Sequence, residues 1–139
     1  MAKILVVDDE ISIRTLLDTI LRRKGHEILL ADRGTTALEV YHREQPEVVI
    51  LDLFMPGMNG IVVLEQLRTM APQLPVIILT GMGNDESEQR ARELGVTEFL
   101  VKGGSLHRLG QALAVALKPA DVREATGSPS RPMRRSQFA

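Results

Sequence analysis

Three uninterrupted apolar runs organise the chain: Ile4-Leu5-Val6-Val7, Val48-Val49-Ile50-Leu51 and Val76-Ile77-Ile78-Leu79. They are rich in β-branched residues and do not alternate with polar ones. A strand covered on both faces of a parallel sheet reads this way. Two weaker runs, Ile28-Leu29-Leu30-Ala31 and Phe99-Leu100-Val101, suit the sheet edges. Between the runs the apolar spacing turns helical. Ile13, Leu16, Leu17, Ile20 and Leu21 share one helical face, and Gly25 follows as a C-cap. Ala37, Leu38 and Tyr41 mark a second helix that closes before Pro46. Val63, Leu64, Leu67, Met70 and Ala71 mark a third, closed by Pro72. Leu106, Leu109, Leu113, Ala116 and Leu117 mark a fifth. The fourth helical interval, Asn84 to Leu94, has Ala91 and Leu94 as its only apolar residues. It buries little, and reads either as a poorly packed surface helix or as an element that moves.

Five β–α units in succession predict an α/β fold: a doubly wound, five-stranded parallel sheet with five helices on its two faces, because right-handed crossovers are nearly obligatory. This domain covers residues 1–118. Residues 119–139 are rich in Pro, Ser, Arg and Ala, lack periodicity, and read as a disordered tail or linker. Arg131, Arg134 and Arg135 make that tail locally basic, which suits a solvated tail or, less simply, a docking or nucleic-acid arm.

Composition narrows the chemistry. The chain has 139 residues, of which 44% are hydrophobic and 25% charged, enough for one domain with a sizeable core. The absence of cysteine excludes disulfides, thiolate metal sites and cysteine nucleophiles. His26, His42 and His107 are far apart and form no metal-ligand motif. A net charge of −1 does not steer the whole domain toward nucleic acid or an acidic membrane. No signal peptide and no membrane-length apolar stretch is evident, so the cytoplasm is the expected location. Aromatics at 3% give little support to a stacked flavin or a single-stranded nucleic-acid platform.

Ligands of open α/β sheets bind outside the carboxyl ends of the strands. Asp8, Asp9 and Glu10 follow the first run, Asp52 the third, and Lys102 the fifth, while Thr80 ends the fourth. Asp8, Asp9 and Asp52 would share a crevice with one ammonium, leaving two negative charges uncompensated. A divalent cation removes that excess, and an oxygen-only ligand set points to Mg²⁺. Asp8 or Asp9 could instead serve as a helix N-cap, but a cap does not explain polar residues at four strand ends. A carboxylate beside a metal and a lysine can act as a nucleophile toward phosphorus, giving an aspartyl phosphate. No side chain in the set is an obvious base for activating water on a separate substrate.

These residues resemble a known family. Val7-Asp8-Asp9-Glu10, then Leu51-Asp52-Leu53-Phe54-Met55-Pro56-Gly57-Met58-Asn59-Gly60, then Leu79-Thr80-Gly81, then Glu98-Phe99-Leu100-Val101-Lys102 are similar, in order, to the receiver domain of bacterial two-component response regulators. The resemblance runs from Lys3 to about Leu117. It implies a flavodoxin-like sheet with strand order 2-1-3-4-5. It implies a phosphoprotein that receives a phosphoryl group on Asp52 from a sensor histidine kinase or phosphotransfer protein, in phosphorelay signal transduction. Asp9, Asp52 and the Phe54 backbone carbonyl would ligate Mg²⁺, with Asp8 acting largely through water. Thr80 and Lys102 would hold the phosphoryl group. Thr80 and Phe99 would form the switch pair, the hydroxyl moving to the phosphoryl group and the ring filling the vacated space. The output protein or domain would dock on the face made by the fourth helix, fifth strand and fifth helix, and a homodimer is one assembly this allows. Such a domain is not an enzyme with a separate substrate; it catalyses only its own phosphorylation and dephosphorylation.

Two departures stand out. The family usually has proline after the lysine, whereas this chain has Lys102-Gly103-Gly104. A non-proline cis bond costs ~2.5–4 kcal/mol, so a trans bond is expected, with a looser loop and a differently started fifth helix. Phe54 and Met82, two residues after Asp52 and Thr80, are bulky positions that in the family tune access of water to the phosphoryl group. They would lengthen the phosphorylated lifetime here, or simply pack against each other. Three other readings remain: a phosphorylation-independent interaction module of the same fold, an Asp-nucleophile Mg²⁺ phosphohydrolase, and a flavodoxin-like cofactor binder. The hydrolase usually carries a second Asp where this chain has Phe54. The cofactor binder would want a Ser/Thr/Gly loop where this chain has Asp-Asp-Glu. The chain is expected to be either a stand-alone regulator or a receiver from a larger protein.

Overall fold

The computed structural model describes residues 2–55, 57–81, 83–104 and 106–118. The element order is β1 (Lys3–Val7), α1 (Ile11–Arg23), β2 (Glu27–Ala31), α2 (Gly34–Glu44), β3 (Val48–Leu51), β4 (Phe54–Met55), β5 (Met58–Asn59), α3 (Gly60–Met70), β6 (Val76–Thr80), α4 (Asp85–Glu93), β7 (Glu98–Val101) and α5 (Leu106–Ala116). The main sheet is parallel, in the order β2-β1-β3-β6-β7. This is the expected 2-1-3-4-5 order once the short β4 and β5 are set aside. Those two strands pair antiparallel with each other, an addition the apolar pattern does not reveal.

The three uninterrupted runs are β1, β3 and β6, the inner strands, and the two weaker runs are the edges. Side chains along a strand alternate between faces, so each inner strand must feed two cores. Leu5, Val7, Val49, Leu51, Val76 and Ile78 pack on one face with Ala37, Val40 and Tyr41 of α2, Val63, Leu64 and Leu67 of α3, and Ala91 of α4. Ile4, Val6, Val48, Ile50 and Ile77 pack on the other with Leu17 and Leu21 of α1 and Leu109, Leu113 and Ala116 of α5. Burial on both faces removes the need for polar alternation.

The register aligns the strand ends. Val7 pairs with Ala31 and Leu51, Leu51 with Ile78, and Thr80 with Val101. The ladder continues one residue further, where the Asp52 amide donates to the Val7 carbonyl (2.9 Å) and the Lys102 amide to the Thr80 carbonyl (2.7 Å). The polar residues following the strands are therefore fixed by backbone pairing.

Gly60 has no room for a side chain. A Cβ there would lie 2.4 Å from Leu53 Cα and 2.7 Å from the Asp52 carbonyl oxygen. The Gly60 amide also donates to the Leu53 carbonyl at 2.8 Å, and the Asn59 side chain caps α3 by accepting from the Ile61 amide at 2.8 Å. The first turn of α3 is thus pressed onto the backbone that carries Asp52.

α4 holds itself together mostly by polar means. Asn84 and Ser87 form a reciprocal capping box, acidic residues fill the first turn and Arg90 and Arg92 the last. Ala91 is its one buried residue among those described. Arg68 of α3 donates to the Leu94 and Gly95 carbonyls (2.5 and 3.1 Å), satisfying groups left open at the end of α4. No described helix is long and apolar enough to cross a membrane.

Gly60→Ala is expected to lower stability by about 1–3 kcal/mol, because the obstacle is backbone and cannot turn aside. Gly110→Ala, in an exposed part of α5 with open space around its Cα, is expected to raise it by about 0.5–1 kcal/mol. Urea unfolding of the two variants should give midpoint shifts of opposite sign.

Candidate functional site

Asp52 lies just past β3, is 3% exposed, and is engaged at both carboxylate oxygens. Its Oδ1 accepts from the Thr80 hydroxyl at 3.0 Å and from the Phe54 amide at 3.2 Å. Its Oδ2 faces Lys102 Nζ at 3.2 Å. The same ammonium lies 2.9 Å from Asp8 Oδ2 and also pairs with Glu10. Carboxylate oxygens of Asp8, Asp9 and Asp52 all lie within 4.8 Å of one another. The strand ends thus bring Asp8, Asp9, Asp52, Thr80 and Lys102 to one place, as their spacing predicts.

The members of the set are not equivalent. Asp8 and Asp52 are buried, whereas Asp9 is exposed. Asp8 is fixed from several sides: its Oδ1 accepts from the Glu10 amide at 2.9 Å, and its backbone carbonyl accepts from Arg14 Nη1 at 2.6 Å. Burial pushes the Asp8 carboxyl above its ordinary value. Hydrogen bonds from Lys102 and the Glu10 amide pull the other way, and the charge of Asp52 adds to the rise. Burial also works against the Lys102 ammonium, but Glu10, Asp8 and Asp52 outweigh it and hold its pKa above the ordinary lysine value. Lys102 therefore stays charged across the physiological range.

Glu10 is a partner of Lys102 that its place in the sequence does not announce. It stands directly after Asp8-Asp9, but only the fold shows that its side chain turns toward the fifth strand end. The Lys102–Gly103 bond is trans, no cis peptide bond occurring among the described residues. Gly103 takes a φ of +85°, a conformation suited to glycine. Helix α5 is described from Leu106, and Ser105, with the expected difference in how the fifth helix starts, lies outside the described residues.

Phe54 is 49% exposed and lines a groove of about 500 Å³ between α3 and α4, with Asn59, Ile61, Asn84, Ser87 and Arg90 among the other walls. Phe99 is 7% exposed, inside the core on the α3–α4 face of the sheet. Met82, and residues 119–139 with their expected disorder, lie outside the described residues.

The donor set fits a small hard cation. Three carboxylates converge on one point, every side-chain donor is oxygen, and Asp9 leaves the point open to solvent. Beside that point the Asp52 carboxylate is flanked by a fixed positive charge and a hydroxyl donor. Groups arranged this way stabilise charge developing on oxygens brought up to Asp52.

Comparison with known proteins agrees with this arrangement. Residues 4–114 match the family profile described as response regulator receiver domain. Sporulation initiation phosphotransferase F of Bacillus subtilis is 33% identical over 111 residues, covering 80% of this chain and 90% of that protein. The ycf27 protein of Galdieria sulphuraria is 37% identical over 119 residues, covering 86% of this chain and 46% of that one. The chain thus spans about half the length of several curated relatives it matches. The structure of Vibrio cholerae chemotaxis protein CheY4 superposes with a TM-score of 0.78 at 33% identity, covering 84% of this chain and 99% of that one.

The raised Asp8 pKa sets a sign. Between the ordinary value of 3.8 and its higher folded value, the folded chain holds more protons than the unfolded one, so Asp8's contribution to stability falls as pH rises through that window. At neutral pH its charge opposes folding. Asp8→Asn is expected to raise the stability of the metal-free protein by about 0.5–2 kcal/mol at pH 7 while weakening divalent-cation binding. Urea unfolding in a chelator, with Mg²⁺ titration alongside, measures both. A lower urea midpoint would show that the pairing with Lys102 outweighs the cost of burial.

Proposed function

The chain belongs to the response regulator receiver domain family, and on that premise we propose that Asp52 is its phosphate acceptor, within a receiver unit of residues 1–118. The observation that carries this is the single Asp52 carboxylate set between the Thr80 hydroxyl and the Lys102 ammonium, beside Asp8 and Asp9. A hydrolase acting on separate substrates and a flavodoxin-like cofactor binder have no such support.

The geometry supports an in-line phosphoryl transfer. An Asp52 oxygen attacks the phosphorus of a phosphohistidine on the kinase or phosphotransfer protein. The new O–P bond forms as the P–N bond breaks, and the histidine departs with its electron pair. Lys102 and the Thr80 hydroxyl then hold the phosphoryl oxygens, which the buried position of Asp52 brings within their reach. Asp9 and Asp52, with the Phe54 backbone carbonyl, would hold Mg²⁺, and Asp8 would act through water. When bound, the cation supplies further neutralisation of the phosphoryl charge. Attack of water on the same phosphorus breaks the Asp52 O–P bond, releases inorganic phosphate and returns the free carboxylate.

Thr80 and Phe99 act as the switch pair, and α4, β7 and α5 form the surface read by an output protein, an output domain or a second copy. The low burial of α4 supports that assignment, because little apolar contact opposes its displacement. The expected setting is cytoplasmic, where sensor kinases present their phosphohistidine. Phe54 and Met82 tune lifetime. Half-exposed Phe54 stands two residues from the acceptor, with its amide on the acceptor oxygen, in a position to crowd a water approaching the phosphoryl group.

Incubation with a small phosphodonor and Mg²⁺ is expected to add one phosphoryl mass, and Asp52→Ala to abolish the gain. Absence of a gain with several donors would sink the acceptor assignment. Phe54→Asn is expected to shorten the phosphorylated lifetime; decay at the wild-type rate would remove Phe54 from the lifetime assignment.

A further inference from the structure

Gly83, between β6 and α4, stands directly against the Phe99 ring. A Cβ on Gly83 would lie 2.9 Å from Phe99 Cε1, 3.1 Å from Cζ and 4.0 Å from Thr80 Cγ2. Carbon atoms in favourable contact sit at about 3.5–4.0 Å, so the first two approaches are repulsive. The backbone itself makes no demand for glycine here, since Gly83 is not among the glycines with positive φ. What requires a missing side chain is the ring.

Phe99 has little freedom to yield. Its backbone is paired with Ile78 of β6, and its ring belongs to a core that includes Leu51, Leu53 and Ile78. Packing of that density leaves no inward retreat. Because β7 is an edge strand, an added side chain at position 83 leaves rotation toward solvent as the remaining course for the ring. Thr80 ties this contact to the acceptor: its methyl lies on the Gly83 side, while its hydroxyl bonds Asp52 at 3.0 Å.

We propose that Gly83 is a positioning residue that keeps the inward seat of Phe99 open, so that the ring can lie behind Thr80 while Thr80 engages Asp52. The proposal rests on the switch-pair reading above and deepens it. A side chain at position 83 closes the seat and uncouples the ring from the acceptor. Asp8, Asp9, Asp52 and Lys102 are left in place.

The test uses the full chain labelled with 4-fluorophenylalanine, which reports on Phe54, Phe99 and Phe138. The Phe99 fluorine signal is the one lost in Phe99→Leu. Relaxation by a soluble paramagnetic agent reads how far each ring is exposed. In the wild type without phosphodonor, ring 99 is expected to be protected relative to half-exposed Phe54, and phosphodonor with Mg²⁺ to deepen that protection. Gly83→Ala is expected to lose part of that protection, and Gly83→Val to bring ring 99 to the exposure of Phe54. Both variants are expected to gain the phosphoryl mass while ring 99 of Gly83→Val stays outside. A ring as protected in Gly83→Val as in the wild type overturns the proposal. If Gly83→Val is too unstable to measure, the double variant Gly83→Val/Phe99→Leu is expected to recover its urea midpoint, because the smaller side chain vacates the space. Lack of recovery overturns the proposal as well. Failure of the wild type to gain phosphoryl mass would sink the acceptor assignment, whereas the exposure of ring 99 is read without phosphate, so the two failures are distinct.

Discussion

Carboxylates gathered at one edge of a sheet repel one another, and this fold concentrates them around a single ammonium. Asp8, Glu10 and Asp52 all reach Lys102, and Asp9 stands beside them. Two of the four are buried, where desolvation adds to the repulsion. The arrangement is stable as an ensemble because the sheet register supplies it whatever its electrostatic cost. Every strand that delivers an acidic residue is held by parallel ladders and by apolar cores on both faces. The excess negative charge suits a divalent cation, and the proposed phosphate chemistry draws on that fit.

Most of the fold is legible in the sequence because its signals are local. Unbroken β-branched runs give the inner strands, helical spacing gives the five helices, and residues directly after the runs give the site. The ordering of edges against inner strands also follows from run strength. The β4–β5 pair escapes this reading, since two-residue strands are too short to show alternation. Glu10 escapes for a different reason: its partner is 92 residues away, and nothing in Asp-Asp-Glu says which carboxylate turns toward it.

Glycines divide along the same line. Gly25 and Gly103 occupy positive φ, a backbone property that turn and cap patterns can announce. Gly60 and Gly83 are required by what approaches them from elsewhere, the Asp52–Leu53 backbone in one case and the Phe99 ring in the other. No pattern within a few residues encodes such an approach. Both lie beside residues of the candidate site, where the chain is packed closely enough that one carbon atom matters.

The seating of Gly60 has a mechanical side. α3 starts where its first residue is pressed onto the loop that carries Asp52, and near its far end Arg68 grips the Leu94 and Gly95 carbonyls just past α4. An α-helix of this length is a stiff rod, and the nine residues from Gly60 to Arg68 span roughly 12 Å. The Asp52 loop and the chain just past α4 are therefore joined by one strut. α4 is tied to α3 by that strut at its tail and by the Arg90–Glu65 pair further along, while among the described residues its head is held by the Asn84–Ser87 capping box. A helix tied mainly toward its tail is a hinged bar, and its head is the end that joins the strand carrying Thr80.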